Sequence, residues 1–113
     1  MKITGRPIVK KNNRTNTGRG FTVPSKRYRQ WESDALWQLT QYGQRWTGKI
    51  AVTLTFQMKG RLDADLDNLV TSVLDVLQES GAIDDDKNVV SLHATKHSGF
   101  EEWVTIIEVE GAE

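Results

Sequence analysis

The chain has 113 residues, enough for one hydrophobic core but not for two, so we expect a single domain spanning residues 1–113. It contains no cysteine, which excludes disulfides, zinc–thiolate sites and thiol nucleophiles and favours a reducing cytoplasm, and no signal peptide or long apolar run predicts secretion or membrane insertion. The formal charge is zero, but residues 1–30 hold nine basic residues and no acid, so residues 31–113 carry a net charge of −9.

The basic block opens with an irregular strand and continues into a polar segment. In "KITGRPIV", residues 2–9, Gly5 and Pro7 interrupt the apolar residues, which predicts an edge strand. Residues 10–20 have no apolar side chain to bury, so we expect a mobile basic loop at about 10–22. An anionic polymer is the expected partner, and a solvated basic arm is the alternative. The candidate contacts to phosphates are Lys10, Lys11, Arg14, Arg19, Lys26 and Arg27.

The middle of the chain shows a helical pattern followed by a strand pattern. Apolar residues at spacings of three and four predict a helix over about 25–45, beginning near Ser25. They are Tyr28, Trp31, Ala35, Leu39, Tyr42 and Trp46. Strict alternation in "IAVTLTFQM", residues 50–58, predicts a half-buried strand that ends before Gly60.

The second half of the chain predicts one more helix and two more strands. A helix is expected from Asp67 or Asn68 to Gly81, which is the expected C′ residue. Two β-rich runs follow at 88–96 and 102–110, with "HSGF" as the turn between them. The order β-α-β-α-β-β predicts an α+β fold, with a small mixed sheet of about four strands and two main helices packed on it.

An acidic stretch, "GRLDADLDNL" at residues 60–69, places Asp63, Asp65 and Asp67 on every second position. On an extended segment the three would share one face, where charges about 4 Å apart repel by roughly 1 kcal/mol even in water. Carboxylates without His or Cys favour Mg²⁺ or Mn²⁺. An EF-hand is excluded, because its Gly and Glu positions hold Asn68 and Leu74. The alternative is solvated turn residues, with Asp67 as a helix cap.

A second acidic cluster, Asp84 to Asp86, follows the far end of the same helix. A helix of about 14 residues is roughly 20 Å long, so its two ends are not adjacent in one straight segment. A site that uses both clusters needs either a loop after Gly81 that folds back or a second subunit. The sequence leaves both possibilities open.

These segments together resemble the RusA family of Holliday-junction resolvases. The resemblance is carried by "DLDNL" at 65–69, the amphipathic helix with Asp75 inside it, Gly81 and "DDDKNVV" at 84–90. The opening "ITGRPIVKKNNR" followed by "FTVPSKRYRQW" is also similar to the family, in which a basic loop precedes the first helix. The similarity covers nearly the whole chain.

The resemblance implies a RusA-like fold and a homodimeric, Mg²⁺-dependent endonuclease, in which Mn²⁺ can replace Mg²⁺. It would bind four-way DNA junctions and resolve them by paired symmetric nicks, with no membrane and no small-molecule substrate involved. Family members are often encoded by phages or prophages. Carried over by position, the catalytic and metal-binding acids are Asp65, Asp67 and Asp86. Asp85 and Asp63 are further candidate ligands, and Asn68 would cap or orient the helix start.

One position departs from the family pattern. Active family members carry a lysine one turn into the helix, where this chain has Thr71. Threonine supplies no cation, and the candidate substitutes are Arg61 and Lys87, which flank the two acidic clusters as Lys59 also does. If residues 61–65 are extended, Arg61 shares the face of the acids. The alternative is a surface arginine that screens nearby carboxylates.

Two other functions are compatible with the same residues. A branched-DNA-binding protein with weak or no cleavage would use the acids only to shape the loop. A structural or regulatory module would use the basic arm to bind RNA or an acidic protein. Metal-dependent cleavage separates the nuclease from the first alternative, and preference for branched over linear duplex separates both from the second.

Overall fold

The computed structural model describes residues 1–9, 14–16, 22–61 and 64–112, and the side chains of all of these except 14–16 and 22–24. It confirms an α+β fold, with a four-stranded mixed sheet in the order β1-β6-β4-β5, two helices, and a separate two-stranded pair, β2-β3. The strands are β1 Lys2–Thr4, β2 Arg14–Asn16, β3 Thr22–Pro24, β4 Ile50–Lys59, β5 Val89–Phe100 and β6 Val104–Gly111. The helices are α1 Lys26–Thr40 and α2 Leu66–Glu79.

The central strand β4 organises the core, as its alternating pattern predicts. Its even-numbered side chains from Ile50 to Met58 are buried, whereas the intervening ones are half-buried. β4 pairs in parallel with β5 and antiparallel with β6. The buried side chains of both helices belong to the same apolar cluster as those of β4, so both helices cover one face of the sheet.

The first helix begins as predicted but ends earlier. The Ser25 hydroxyl accepts a hydrogen bond of 3.1 Å from the Tyr28 backbone N–H, which caps the first turn. The predicted end near residue 45 is wrong, because α1 ends at Thr40 and Gly43 takes a φ of 61°. Tyr42 therefore lies outside the helical stripe, 44% exposed, and its hydroxyl accepts from the Lys2 N–H.

The second helix packs its apolar stripe on the sheet and ends near the predicted residue. Its buried residues are Leu69, Val70, Ser72, Val73, Val76 and Leu77. Gly81 has a φ of 82°, a conformation that favours glycine, and the chain then turns back so that the Ile83 N–H donates to the Leu77 carbonyl at 3.3 Å. No helix among the described residues is long and apolar enough to cross a membrane.

The last two strands do not form the expected hairpin. β5 continues to Phe100 through the predicted "HSGF" turn, because Gly99 and Phe100 both hydrogen-bond to Gly60 at the end of β4. β5 and β6 then lie on opposite sides of β4. The parallel neighbours β4 and β5 are joined through α2, a βαβ connection that sets β5 at one edge of the sheet. The irregular strand β1 lies at the other edge, as predicted.

Part of the predicted basic loop pairs as a β-strand. Arg14–Asn16 pairs antiparallel with Thr22–Pro24, which the polar sequence gave no reason to expect. Lys10, Lys11 and Arg19 lie outside the described residues. The mobility of the loop stays a prediction.

Candidate active site

Asp65 and Asp67 lie at the start of α2. Asp65 occupies the N-cap position with extended backbone angles, and its carbonyl accepts the first helical hydrogen bond, 3.1 Å from the Leu69 nitrogen. Its carboxylate does not cap the helix and instead faces the Asn68 amide, whose Nδ2 lies 3.4 Å from Oδ2. Asp67 is exposed in the first turn, where the helix dipole favours a negative charge.

This geometry corrects two expectations about the acidic stretch. α2 begins at Leu66, so Asp67 is a first-turn residue and not the cap. Asp65 and Asp67 consequently do not share one face of an extended strand, and Arg61 lies in a turn after β4. The spacing predicted a shared face because acids at every second position have the same sequence pattern in an extended strand as in a loop that enters a helix. Asp63 lies outside the described residues.

The second acidic cluster leads into a single 3₁₀ turn, Asp86–Asn88. Asp85 caps this turn, and the hydrogen bond from the Lys87 N–H lowers the pKa of its carboxyl. Asp84 forms an exposed ion pair with Arg45, with N and O 2.8 Å apart. Asp86 is exposed, and its N–H donates a hydrogen bond of 2.8 Å to the Gln78 side chain on α2.

The fold-back of the chain places Asp86 in an acidic cavity of about 230 Å³ against the second half of α2. The other lining residues are Tyr28, Glu32, Asp75, Gln78 and Glu79. The Tyr28 hydroxyl donates to Glu32 at 3.2 Å, and burial together with the Glu32 charge raises the pKa of Tyr28. Sequence patterns give little reason to group these side chains. Their only signal was the i,i+4 spacing of two pairs, Tyr28 with Glu32 and Asp75 with Glu79.

Asp65 and Asp67 therefore lie at the start of α2, whereas Asp86 lies against the second half of the same helix, beside Asp75. Asp75 follows Asp67 by just over two turns, about 12 Å along the axis. In the parts of the chain that the structure describes, no three acidic or histidine side chains form a group that could hold a metal ion. The donor chemistry of Asp65, Asp67 and Asp86 suits Mg²⁺ or Mn²⁺, and their joint action on one ion stays a prediction.

Comparison with known proteins finds a family whose match spans both acidic clusters. Residues 4–110 match the family described as endodeoxyribonuclease RusA. The chain belongs to the RusA family. It is also 31% identical, over 94 residues, to a crossover junction endodeoxyribonuclease RusA of Aquifex aeolicus, a match that covers 80% of this chain and 73% of that protein. The matched residues include the start of α2, the 3₁₀ turn and the whole of β5.

At position 71, where the family resemblance implies a lysine, this chain has an uncharged side chain. The Thr71 hydroxyl donates a hydrogen bond of 3.0 Å to the Asp67 carbonyl. Arg61 and Lys87 are both exposed. A basic residue that the sequence analysis did not single out, Lys96 of β5, donates from Nζ to the Ala64 carbonyl at 2.8 Å, immediately before Asp65. Its signal in the sequence was its spacing, since Leu92, Ala94 and Lys96 occupy every second position of β5 and therefore share one face of the strand.

A second candidate surface surrounds the start of α1. Lys26 and Arg27 are exposed there and, with Arg6 and Trp31, line a cavity of about 630 Å³. The Arg6 guanidinium also lies over the Trp103 ring, 5.6 Å from its centroid. Of the residues predicted to bind phosphates, Lys26 and Arg27 are thus described with their side chains, and Arg14 by its backbone in β2.

Proposed function

We propose that this RusA-family chain is a metal-dependent endonuclease that binds four-way DNA junctions as a homodimer and resolves them by paired symmetric nicks. The observation that carries the proposal is the family match over residues 4–110, which includes both acidic clusters. The relative from Aquifex aeolicus is named for crossover-junction cleavage. A two-fold homodimer would present two equivalent sites to a junction, whose two opposed strands can be related by the same symmetry.

The proposed metal is Mg²⁺, with Mn²⁺ as a substitute, held by Asp65, Asp67 and Asp86, with Asp85 and Asp63 as further candidates. Bound there, the ion would activate water and neutralise charge on the phosphate. The chain's own contribution is to orient the ligands. The Asn68 amide lies against Asp65, and the Gln78 side chain holds the backbone at Asp86.

The proposed DNA contacts come from the basic block. Lys26 and Arg27 are exposed at the start of α1 and are available to phosphates. Lys10, Lys11, Arg14 and Arg19 would track the DNA backbone, since contacts to phosphate fix position without reading sequence. We propose that the segment at about 10–22 is mobile when free and is held by phosphates in the complex.

Incubation with a synthetic four-way junction tests the proposed function. The protein is incubated with Mg²⁺, with Mn²⁺ and with EDTA, and both labelled strand pairs are examined for nicks. Symmetric nicks that require the metal are expected in the junction and not in a linear duplex of the same sequence. Cleavage in EDTA, or equal cleavage of the linear duplex, would contradict the proposal.

A second candidate function is binding of branched DNA with weak or no cleavage. It is favoured by Thr71, whose hydroxyl donates to the Asp67 backbone carbonyl at the position where active family members carry a lysine. The same experiment separates the two candidates. A tight complex with the junction and no nicks in either metal would support binding alone.

A further inference from the structure

Lys96 carries a positive charge on the covered face of the sheet. It pairs in register with Phe56 of β4, which is fully buried, so its side chain leaves β5 on the side that the helices cover. Lys96 is half-buried, whereas the next residue, His97, is exposed. Burial of an ammonium group is costly unless polar groups contact it. The Ala64 carbonyl provides such a contact, with Nζ and O 2.8 Å apart.

This contact places the ammonium beside the candidate acids. The Ala64 carbonyl belongs to the peptide bond that joins Ala64 to Asp65, the N-cap residue of α2. The first backbone N–H groups of α2 also carry partial positive charge. A DNA phosphate at this turn would therefore meet the ammonium and the helix N-terminus together.

We propose that Lys96 supplies the positive charge at the cleavage site by contacting a phosphate oxygen of the DNA at the Asp65–Asp67 turn. The proposal rests on the nuclease function proposed above. A cation at this position stabilises the charge that the phosphate gains in the transition state. Lys96 supplies this cation from β5. Thr71 of α2 cannot supply it, because the Thr71 hydroxyl is neutral and donates to the helix backbone.

Three substitutions at position 96 separate the charge from the hydrogen bond. Lys96→Arg keeps both, Lys96→Gln keeps an N–H donor without charge, and Lys96→Met keeps neither. Single-turnover cleavage of a four-way junction is measured at saturating protein. Lys49→Met is the matched control, because Lys49 is an exposed lysine just before β4. We expect the Gln and Met variants to cleave about 100-fold more slowly, and the Arg and control variants to stay near the parent rate.

The proposal is overturned if the cleavage rate depends on the hydrogen bond of residue 96 and not on its charge. In that case the Gln variant would cleave like the parent while the Met variant alone would be slow. A Met variant with the parent rate would also overturn it and would leave the nuclease function intact. Thermal melting checks that each variant folds. If the Met variant does not fold, the Gln and Arg variants still make the comparison.

Binding in EDTA provides a second readout that does not need cleavage. One phosphate contact contributes about 0.9 to the slope of log K against log salt for duplex DNA. We expect Lys96→Gln to reduce the slope for junction binding by about that amount relative to the parent and to Lys49→Met. Equal slopes would overturn the contact. If the parent binds junctions but leaves no nicks, the nuclease function fails, and a reduced slope for Lys96→Gln still supports the phosphate contact.

Discussion

The backbone N–H of Asp86 donates a hydrogen bond of 2.8 Å to the side-chain oxygen of Gln78. This bond joins the 3₁₀ turn to the last turn of α2 and sets Asp86 against the acidic cavity. A side-chain acceptor on the helix thus holds the backbone of the second acidic cluster against the last turn of α2.

We predict that Gln78→Ala slows junction cleavage more than it lowers stability. An exposed hydrogen bond of this kind contributes about 1 kcal/mol to stability, so the fold should persist, but the turn that carries Asp86 would lose its attachment. Gln41→Ala is the matched control, since Gln41 is also exposed, at the end of α1, and donates a side-chain hydrogen bond to the Trp37 carbonyl. Cleavage rate and chemical denaturation are measured for both. Equal cleavage by the two variants would show that the Gln78 bond does not position Asp86.

We predict that Asp65→Asn, Asp67→Asn and Asp86→Asn each abolish cleavage and leave junction binding unchanged or tighter. Asn keeps the shape and removes one negative charge that faces the phosphates. Asp67→Asn should also cost about 0.3–1 kcal/mol of stability, because the negative charge of Asp67 in the first turn interacts favourably with the helix dipole and Asn lacks that charge. Glu108→Gln, on the exposed side of β6, is the control and should cleave normally. Unchanged cleavage in two of the three variants would refute the assignment.

The sequence predicts well those features that depend on the residues of a single segment. The strand β4 has a strict alternation because one of its faces is buried along its whole length. The α2 stripe and Gly81 predict the end of that helix for similarly local reasons. The error at the end of α1 is also local, because aromatic residues at helical spacing continue the pattern after the helix has stopped.

Features that depend on contacts between distant segments were not predictable from the sequence. The "HSGF" segment reads as a turn until Gly60 pairs with Gly99 and keeps the chain extended. The position of Asp86 depends on the Gln78 side chain, and that of Lys96 depends on the parallel register with β4. Parallel pairing across a helical connection leaves no local mark in the sequence, so the charge beside Asp65 was identified only from the structure.

We predict that the basic loop controls the salt dependence of DNA binding. If it neutralises about four phosphates, changing Lys10, Lys11, Arg14 and Arg19 to Ala should reduce the slope of log K against log salt by roughly 3 to 4 units per loop. Lys49→Ala, at an exposed site outside the basic block, should change the slope by less than one unit. Binding is measured to a four-way junction in EDTA over a range of salt concentrations. A parental slope in the fourfold variant would show that the loop does not contact DNA.

We predict that Tyr28 makes the fold sensitive to alkaline pH. Burial, and then the charge of Glu32, raise the pKa of Tyr28 above the ordinary value of about 10. Because the folded-state pKa is the higher one, stability is unaffected below about pH 10 and is lost as the pH rises from there toward the folded-state pKa. Tyr28→Phe removes the ionisable group, so the free energy of unfolding of this variant should fall less steeply above pH 10 than that of the parent.

The control is Tyr42→Phe, which removes an exposed hydroxyl and should keep the parental steepness. Urea denaturation at intervals from pH 8 to 11.5 measures all three proteins. The same steepness in Tyr28→Phe and in the parent would mean that the buried phenol is not the group that titrates.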